Sequence, residues 1–234
     1  MPWTMLDNNP ATVDIVAAGG ELYQRHNNGR IWRHTGPPLT GWQELDNNTA
    51  TIDIVAAGDQ LYQRHDNDRI WRYTGPPLTG WQELDNNTAT DQIVASSDLV
   101  GGVQLYQRHD SGRIFFYTGP PLTGWQELDN NTATVQIAVG DELFQRHDNG
   151  RIFRYTGPPL TGWEELDNNT ATIDIVAAGD QLYQLHGNGT IYRYTGPPHT
   201  GWLELDNNPD TVQIVAGDQL YQRHGDGSIW RFDL

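Results

Sequence analysis

The sequence lacks cysteine and lysine entirely. Without cysteine there is no disulfide framework, no thiolate zinc site and no cysteine nucleophile. All 14 basic residues are arginine, set against 30 Asp and Glu for a net charge of −16. No arginine run occurs, so binding to a nucleic-acid backbone or an anionic membrane surface is not expected. No apolar run approaches the roughly 20 residues of a membrane helix, so no membrane insertion is expected either. The opening Met1-Pro2-Trp3-Thr4-Met5-Leu6-Asp7 shows no charged region followed by an apolar stretch, and no signal peptide is expected. No phosphate-binding loop, HExxH or nucleophile elbow is present. No cofactor and no metal site are expected. Only 36% of the residues are apolar, but 25 Gly, 13 Pro and 9 Trp point to many turns around large aromatic anchors.

What is present is repetition. Trp42, Trp81, Trp125, Trp163 and Trp202 each follow a glycine, and Trp3 takes the same place after Pro2. Six copies of a unit of about 40 residues cover the chain, which reads as a single domain over residues 1–234. The approximate blades are 10–45, 49–84, 88–128, 132–166, 170–205, and 209–234 with 3–6. Within a unit the apolar period is 2, and four short strands are separated by turn residues. In the second unit these are Thr51–Ala56, Gln60–His65, Arg69–Tyr73 and Trp81–Leu84. Asn28-Gly29, Asn149-Gly150 and their counterparts mark a hairpin between the second and third strands, and Asn67-Asp68 is the one departure.

Four antiparallel strands per repeat predict an all-β, six-bladed β-propeller. The N-terminal strand Trp3–Leu6 is expected to close the ring by pairing into the last blade, because otherwise two sheet edges stay exposed. A two-residue turn in the first unit would place Arg25 opposite Trp32, a cation–π pair. The polar position of each first strand, Asp14, Asp53, Gln92, Gln136, Asp174 and Gln213, is expected to face a central channel, where the three carboxylates hold water rather than a cation. The repeated histidines, of which His26 is the first, read as structural residues at a strand end.

Nearly every polar residue recurs, whereas a catalytic site needs a unique constellation, so the chain reads as a non-enzyme. Repeated equivalent sites suit multivalent binding. Sugars offer an apolar face to Trp and hydroxyls to Asn, Asp and Arg. The candidate site lies between blades at the Asn-rich end. In blades one and two it comprises Arg25, Asn27, Arg30 and Trp32, then Arg64, Asn67, Arg69 and Trp71. In the later blades it comprises Arg108, Arg113 and Phe115, then Arg146, Arg151 and Phe153, then Arg223 and Trp230. The loops after the fourth strands add Asn47, Asn86, Asn130 and Asn168. Leu185 and Thr190 replace the two arginines in blade five, so on this assignment blade five fails to bind.

The run Leu22-Tyr23-Gln24-Arg25-His26-Asn27-Asn28-Gly29-Arg30-Ile31-Trp32-Arg33, followed by Thr35-Gly36 and Gly41-Trp42-Gln43-Glu44-Leu45, resembles the repeats of tachylectin-2-like and tectonin-like β-propeller lectins. The resemblance implies glycan partners, N-acetylated amino sugars or fucose-type sugars; a monomer is expected. It departs in blade number, six against five, and in the Gly-Pro-Pro loop. The alternative is a non-catalytic protein-interaction or structural, even designed, repeat propeller that binds no sugar.

Overall fold

The computed structural model describes residues 3–97, 102–217 and 219–232. Among them are 24 strands in six four-stranded antiparallel sheets, and no helix. In chain order these are β1 (Trp3–Asp7), then β2 (Thr12–Ala18), β3 (Glu21–His26), β4 (Ile31–His34) and β5 (Trp42–Asp46) of blade 1. Blade 2 is β6 (Thr51–Ala57), β7 (Gln60–His65), β8 (Ile70–Tyr73) and β9 (Trp81–Asp85). Blade 3 is β10 (Thr90–Ser97), β11 (Val103–His109), β12 (Ile114–Tyr117) and β13 (Trp125–Asp129). Blade 4 is β14 (Thr134–Val139), β15 (Leu143–His147), β16 (Ile152–Tyr155) and β17 (Trp163–Asp167). Blade 5 is β18 (Thr172–Ala178), β19 (Gln181–His186), β20 (Ile191–Tyr194) and β21 (Trp202–Asp206). Blade 6 is β22 (Thr211–Ala216), β23 (Leu220–His224) and β24 (Ile229–Phe232). β1 pairs with β24, Trp3 opposite Phe232, and completes the sixth sheet as closure requires. The architecture is a six-bladed β-propeller. The five-residue insertion of blade 3 lengthens β10 and β11, while its tip, residues 98–101, lies outside the described residues.

The chain forms two compact units of three blades each. One comprises residues 1–88, 120–123 and 210–234, the other 89–119 and 124–209. In the first unit Tyr23, Ile31 and Leu45 of blade 1 pack on Ile54, Leu61, Tyr73 and Trp81 of blade 2. In the second, Tyr106, Ile114 and Leu128 pack on Ile137, Val139 and Leu143 in the same way. The isoleucine opening each third strand is fully buried, a contribution of about 1.5–3 kcal/mol apiece.

The pairing register differs from the expectation. Tyr23 faces Arg33, Gln24 faces Trp32, and Arg25 faces Ile31, so Arg25 is not the partner of Trp32. The reason lies in the turn. The His26 N–H bonds the Arg30 carbonyl at 2.9 Å and the Gly29 N–H bonds the His26 carbonyl at 3.0 Å. That is a three-residue loop ending in a left-handed residue, not a two-residue turn. Gly29 takes φ +82° and sits so close to the next loop that a Cβ would lie 2.4 Å from the Asn48 carbonyl oxygen. In blade 2 Asp68 adopts the same left-handed conformation, φ 64°, and its carboxylate accepts a hydrogen bond from Arg64 at 3.1 Å.

Candidate functional site between neighbouring blades

The loop that joins the third and fourth strands does more than turn the chain. Its apex residue Leu78 donates its N–H to the Leu45 carbonyl of the preceding blade at 2.7 Å. Leu39, Leu122, Leu160 and His199 make the same bond to Leu6, Leu84, Leu128 and Leu166 at 2.6–2.7 Å. The loop therefore lies along the neighbouring outer strand and comes to the Asn-rich loops, instead of staying at the opposite end of the blade.

Beneath this clasp in blades 1 and 2 is a cavity of about 350 Å³ lined by Asp46, Asn47, Asn48, Gln63, His65, Trp71, Leu78, Thr79 and Trp81. Its floor follows from the register. With Gln63 opposite Trp71, both side chains share one face, and the His65 ring stacks on Trp71 at 5.5 Å with 25° between planes. On the adjacent strand Trp81 faces Tyr73, with ring centroids 5.1 Å apart. Asp46 ends β5, and one of its carboxylate oxygens accepts the Asn48 N–H at 3.3 Å. The Asn48 side chain in turn accepts the Ala50 N–H at 3.0 Å, an Asx turn that presents the preceding Asn47 to solvent.

Three polar groups of this cavity have no partner in the protein. They are the second carboxylate oxygen of Asp46 and the indole N–H groups of Trp71 and Trp81. Asp46 is only 4% exposed, and a buried polar group without a partner is costly. Burial holds the His65 pKa below the usual value, with Asp46 opposing, so the ring is neutral at neutral pH. Its Nε2 lies 3.4 Å from the Asn48 amide nitrogen, which fits an acceptor imidazole nitrogen facing an amide donor.

The counterparts repeat the plan. In blade 1 His26 stacks on Trp32 at 5.6 Å, and the Trp32 and Trp42 indoles are again unpartnered. There Gln24 donates to the Asp7 carboxylate at 3.0 Å. In blade 4 His147 lies 4.3 Å from Phe153, beside an Asp129 carboxyl that burial pushes up. In blade 5 His186 lies 4.6 Å from Tyr192, and Gln184 donates to Asp167 at 3.1 Å.

Of the sequence-predicted residues, the cavity gathers Trp71 and Asn47, and the repeat places Trp32, Phe153, Asn130 and Asn168 alike. Asn86, Phe115 and Trp230 hold the corresponding positions in their own repeats, where Phe115 packs on His109 at 4.3 Å and the Trp230 N–H is taken by Ser228 at 3.1 Å. The second-strand arginines go elsewhere. Arg25 and Arg64 face Asp14 and Asp53 at 3.7 and 3.6 Å. Arg108 pairs with Asp91, while Arg146 and Arg223 donate to Gln136 and Gln213 at 2.9 and 3.0 Å. These bonds turn them to the first strand of their own blade. There Gln213 also donates to Asp14, and Gln136 to Asp174.

The arginines at the start of the third strands are half-exposed. Arg30, Arg69, Arg113 and Arg151 pair with Glu44, Glu83, Glu127 and Glu165. Arg113 and Arg151 lie over Phe115 and Phe153 at 5.2 and 5.3 Å, so this arginine, not that of the second strand, makes the cation–π pair. Asn67 caps the turn by accepting the Arg69 N–H at 3.3 Å, and Asn27 is exposed in the equivalent turn.

Sequence reasoning missed Asp46, Gln63, His65, Leu78, Thr79 and Trp81. The signal for His65 and Gln63 was the five-residue segment His65–Arg69, which reads as a three-residue loop once its left-handed third position is recognised. Among the described residues no group of three or more His, Asp or Glu is placed to hold a metal ion, and no helix is long and apolar enough to cross a membrane.

Comparison with solved structures settles the architecture. Virginiamycin B lyase from Staphylococcus aureus superposes with a TM-score of 0.64 at 18% identity, over 95% of this chain and 80% of that one. The fold is that of the β-propellers. A PQQ-bound aldose sugar dehydrogenase from Streptomyces coelicolor gives 0.65 at 12% identity over 97% and 96%. YCF48 bound to D1 peptide gives 0.60 at 14% over 100% and 83%. No protein-family model matches the chain, and no curated protein matches it. The propeller neighbours include two enzymes and a peptide-bound protein, so the shared fold leaves the activity to be argued from the site.

Proposed function

We propose that the chain is a non-catalytic, multivalent glycan-binding protein of the tachylectin-2-like and tectonin-like kind, with a sugar site at the clasped junctions between blades of the same compact unit. The observation that carries this is the cavity holding two indole N–H donors and one carboxylate acceptor, all without protein partners, beside the faces of Trp71 and Trp81. A sugar supplies both halves of the match. Its hydroxyl or acetamido N–H donates to Asp46, its oxygens accept from the indoles, and its C–H face lies on aromatic carbon. About 350 Å³ is near the lower end of the range of roughly 300–1,000 Å³ for ligand pockets, which suits one ring of an N-acetylated amino sugar. Weak single sites repeated around one chain then act together on a surface of repeated ligand.

The test is a glycan array at multivalent density, followed by titration calorimetry with N-acetylglucosamine and fucose. Wild-type binding that drops in Asp46→Asn, which keeps the oxygen facing Asn48 but removes the charge, supports the reading. An absence of binding to every glycan overturns it in favour of a protein-interaction propeller.

A further inference from the structure

The apex of each clasp loop breaks a backbone rule. Leu39, Leu78, Leu122 and Leu160 take φ between 69° and 70°, and His199 takes 65°. A branched L-residue is disfavoured in this left-handed region, where glycine or asparagine sits more easily. The fold has no need of these side chains. The clasp bond uses only the backbone N–H, which glycine would supply without strain. The leucines are 46–48% exposed, so burial returns little for the strain. The same loop uses glycine where the fold requires it: a Cβ on Gly80 would lie 2.0 Å from the Gly75 backbone. Strain retained at a surface position without a packing return points to function. Leu78 also lines the cavity with Trp71 and Trp81.

Resting on the glycan reading, we infer that Leu78, with Leu39 and Leu160, is a specificity residue: it contacts an apolar aglycone, alkyl or aryl, carried by the bound sugar at the cavity mouth. The chain then prefers a sugar attached to carbon-rich material over the free sugar. In blade 5 His199 stands at this place, so that site lacks the preference.

The experiment compares free N-acetylglucosamine with its para-nitrophenyl glycoside by calorimetry, on wild type and on a variant carrying Leu39→Asn, Leu78→Asn and Leu160→Asn. A second variant carries glycine at the same three positions, and melting temperature is followed throughout. The expected result is a preference of about tenfold for the aryl glycoside in wild type. That preference falls towards unity in both variants, with a melting temperature unchanged or raised. Equal affinity for the two ligands in wild type, a preference kept by both variants, or a fall in melting temperature in both would overturn the assignment. Failure of wild type to bind either ligand overturns the glycan reading itself, and this assignment with it.

Discussion

Blades 2 and 5 share a site plan but not a rim. The floor is nearly the same in both: Asp46 and Asp167, Gln63 and Gln184, and His65 and His186 are all buried, and Trp81 and Trp202 have the same unpartnered indole N–H. Three other positions change. Trp71 becomes Tyr192, Leu78 becomes His199 and Arg69 becomes Thr190, while Glu204, the counterpart of Glu83, hydrogen-bonds Tyr192. Even the inward-turned arginine changes, Arg64 giving way to a Leu185 with no exposed surface. The buried acid, amide and imidazole are held constant, and the aromatic ring, the clasp apex and the outer arginine vary. The arginines that the sequence suggested as ligand holders fall in the variable or inward-facing set, and this is why Leu185 need not abolish a site in blade 5.

The comparison can be broken in four ways. The largest effect belongs to the frame: Ile70→Ala and Ile191→Ala, both fully buried, should each lower unfolding free energy by about 2–5 kcal/mol. Denaturant titration of the two variants checks this, and a large inequality would mean that the blades are not equivalent frames.

Next is ligand stoichiometry. Trp71→Ala should remove one calorimetric site while leaving Tm within a few degrees, and Tyr192→Ala should remove a weaker one. Identical losses of heat would erase the distinction between the two rims.

The third is pH. Burial lowers the pKa of His65 and of His186 from 6.5, so the unfolded chain takes up protons first as the pH falls. Stability is thus fully present above about pH 6.5 and is lost as the pH drops through that value towards the folded-state pKa. His26 and His147 shift the same way. A melting-temperature series from pH 8 to 5 should show the decline, and His65→Gln should flatten it.

The smallest effect is at the rim ion pair. Arg69→Ala breaks a contact to Glu83 in which the arginine is 46% exposed, and should change stability by less than about 1 kcal/mol. A larger fall in denaturation midpoint would make that pair part of the frame.

Much of the fold was legible because the strands alternate with period 2 and the tryptophan spacing repeats. Closure by β1 was legible because the last repeat ends on Ile229–Phe232 without a fourth strand. The register was not. It depends on whether the turn after His26 holds two residues or three, and Asn28-Gly29 is compatible with both. Each blade also carries a bulge between its first two strands, as between Thr12 and Asp14, and another between its last two, as between Ile31 and Trp32. One residue of slip moves a side chain to the other face, which is why a two-residue turn sets Arg25 and Arg64 beside the aromatic slot, where the structure sets Gln24 and Gln63. Trp71 and Asn47, which the cavity does gather, need no register to be picked out. Asp46 and Trp81 were hidden because each already had an ordinary role, ending one strand and opening another.

The clasp and the cavity together have a consequence for how such a chain arises. Asp46 and Asn47 belong to one repeat, while His65, Trp71 and Leu78 belong to the next. A solitary copy of the gene segment therefore encodes half of two such cavities and no complete one. The first tandem duplication completes a cavity and a blade-to-blade interface in the same event, so the two are built from the same junction.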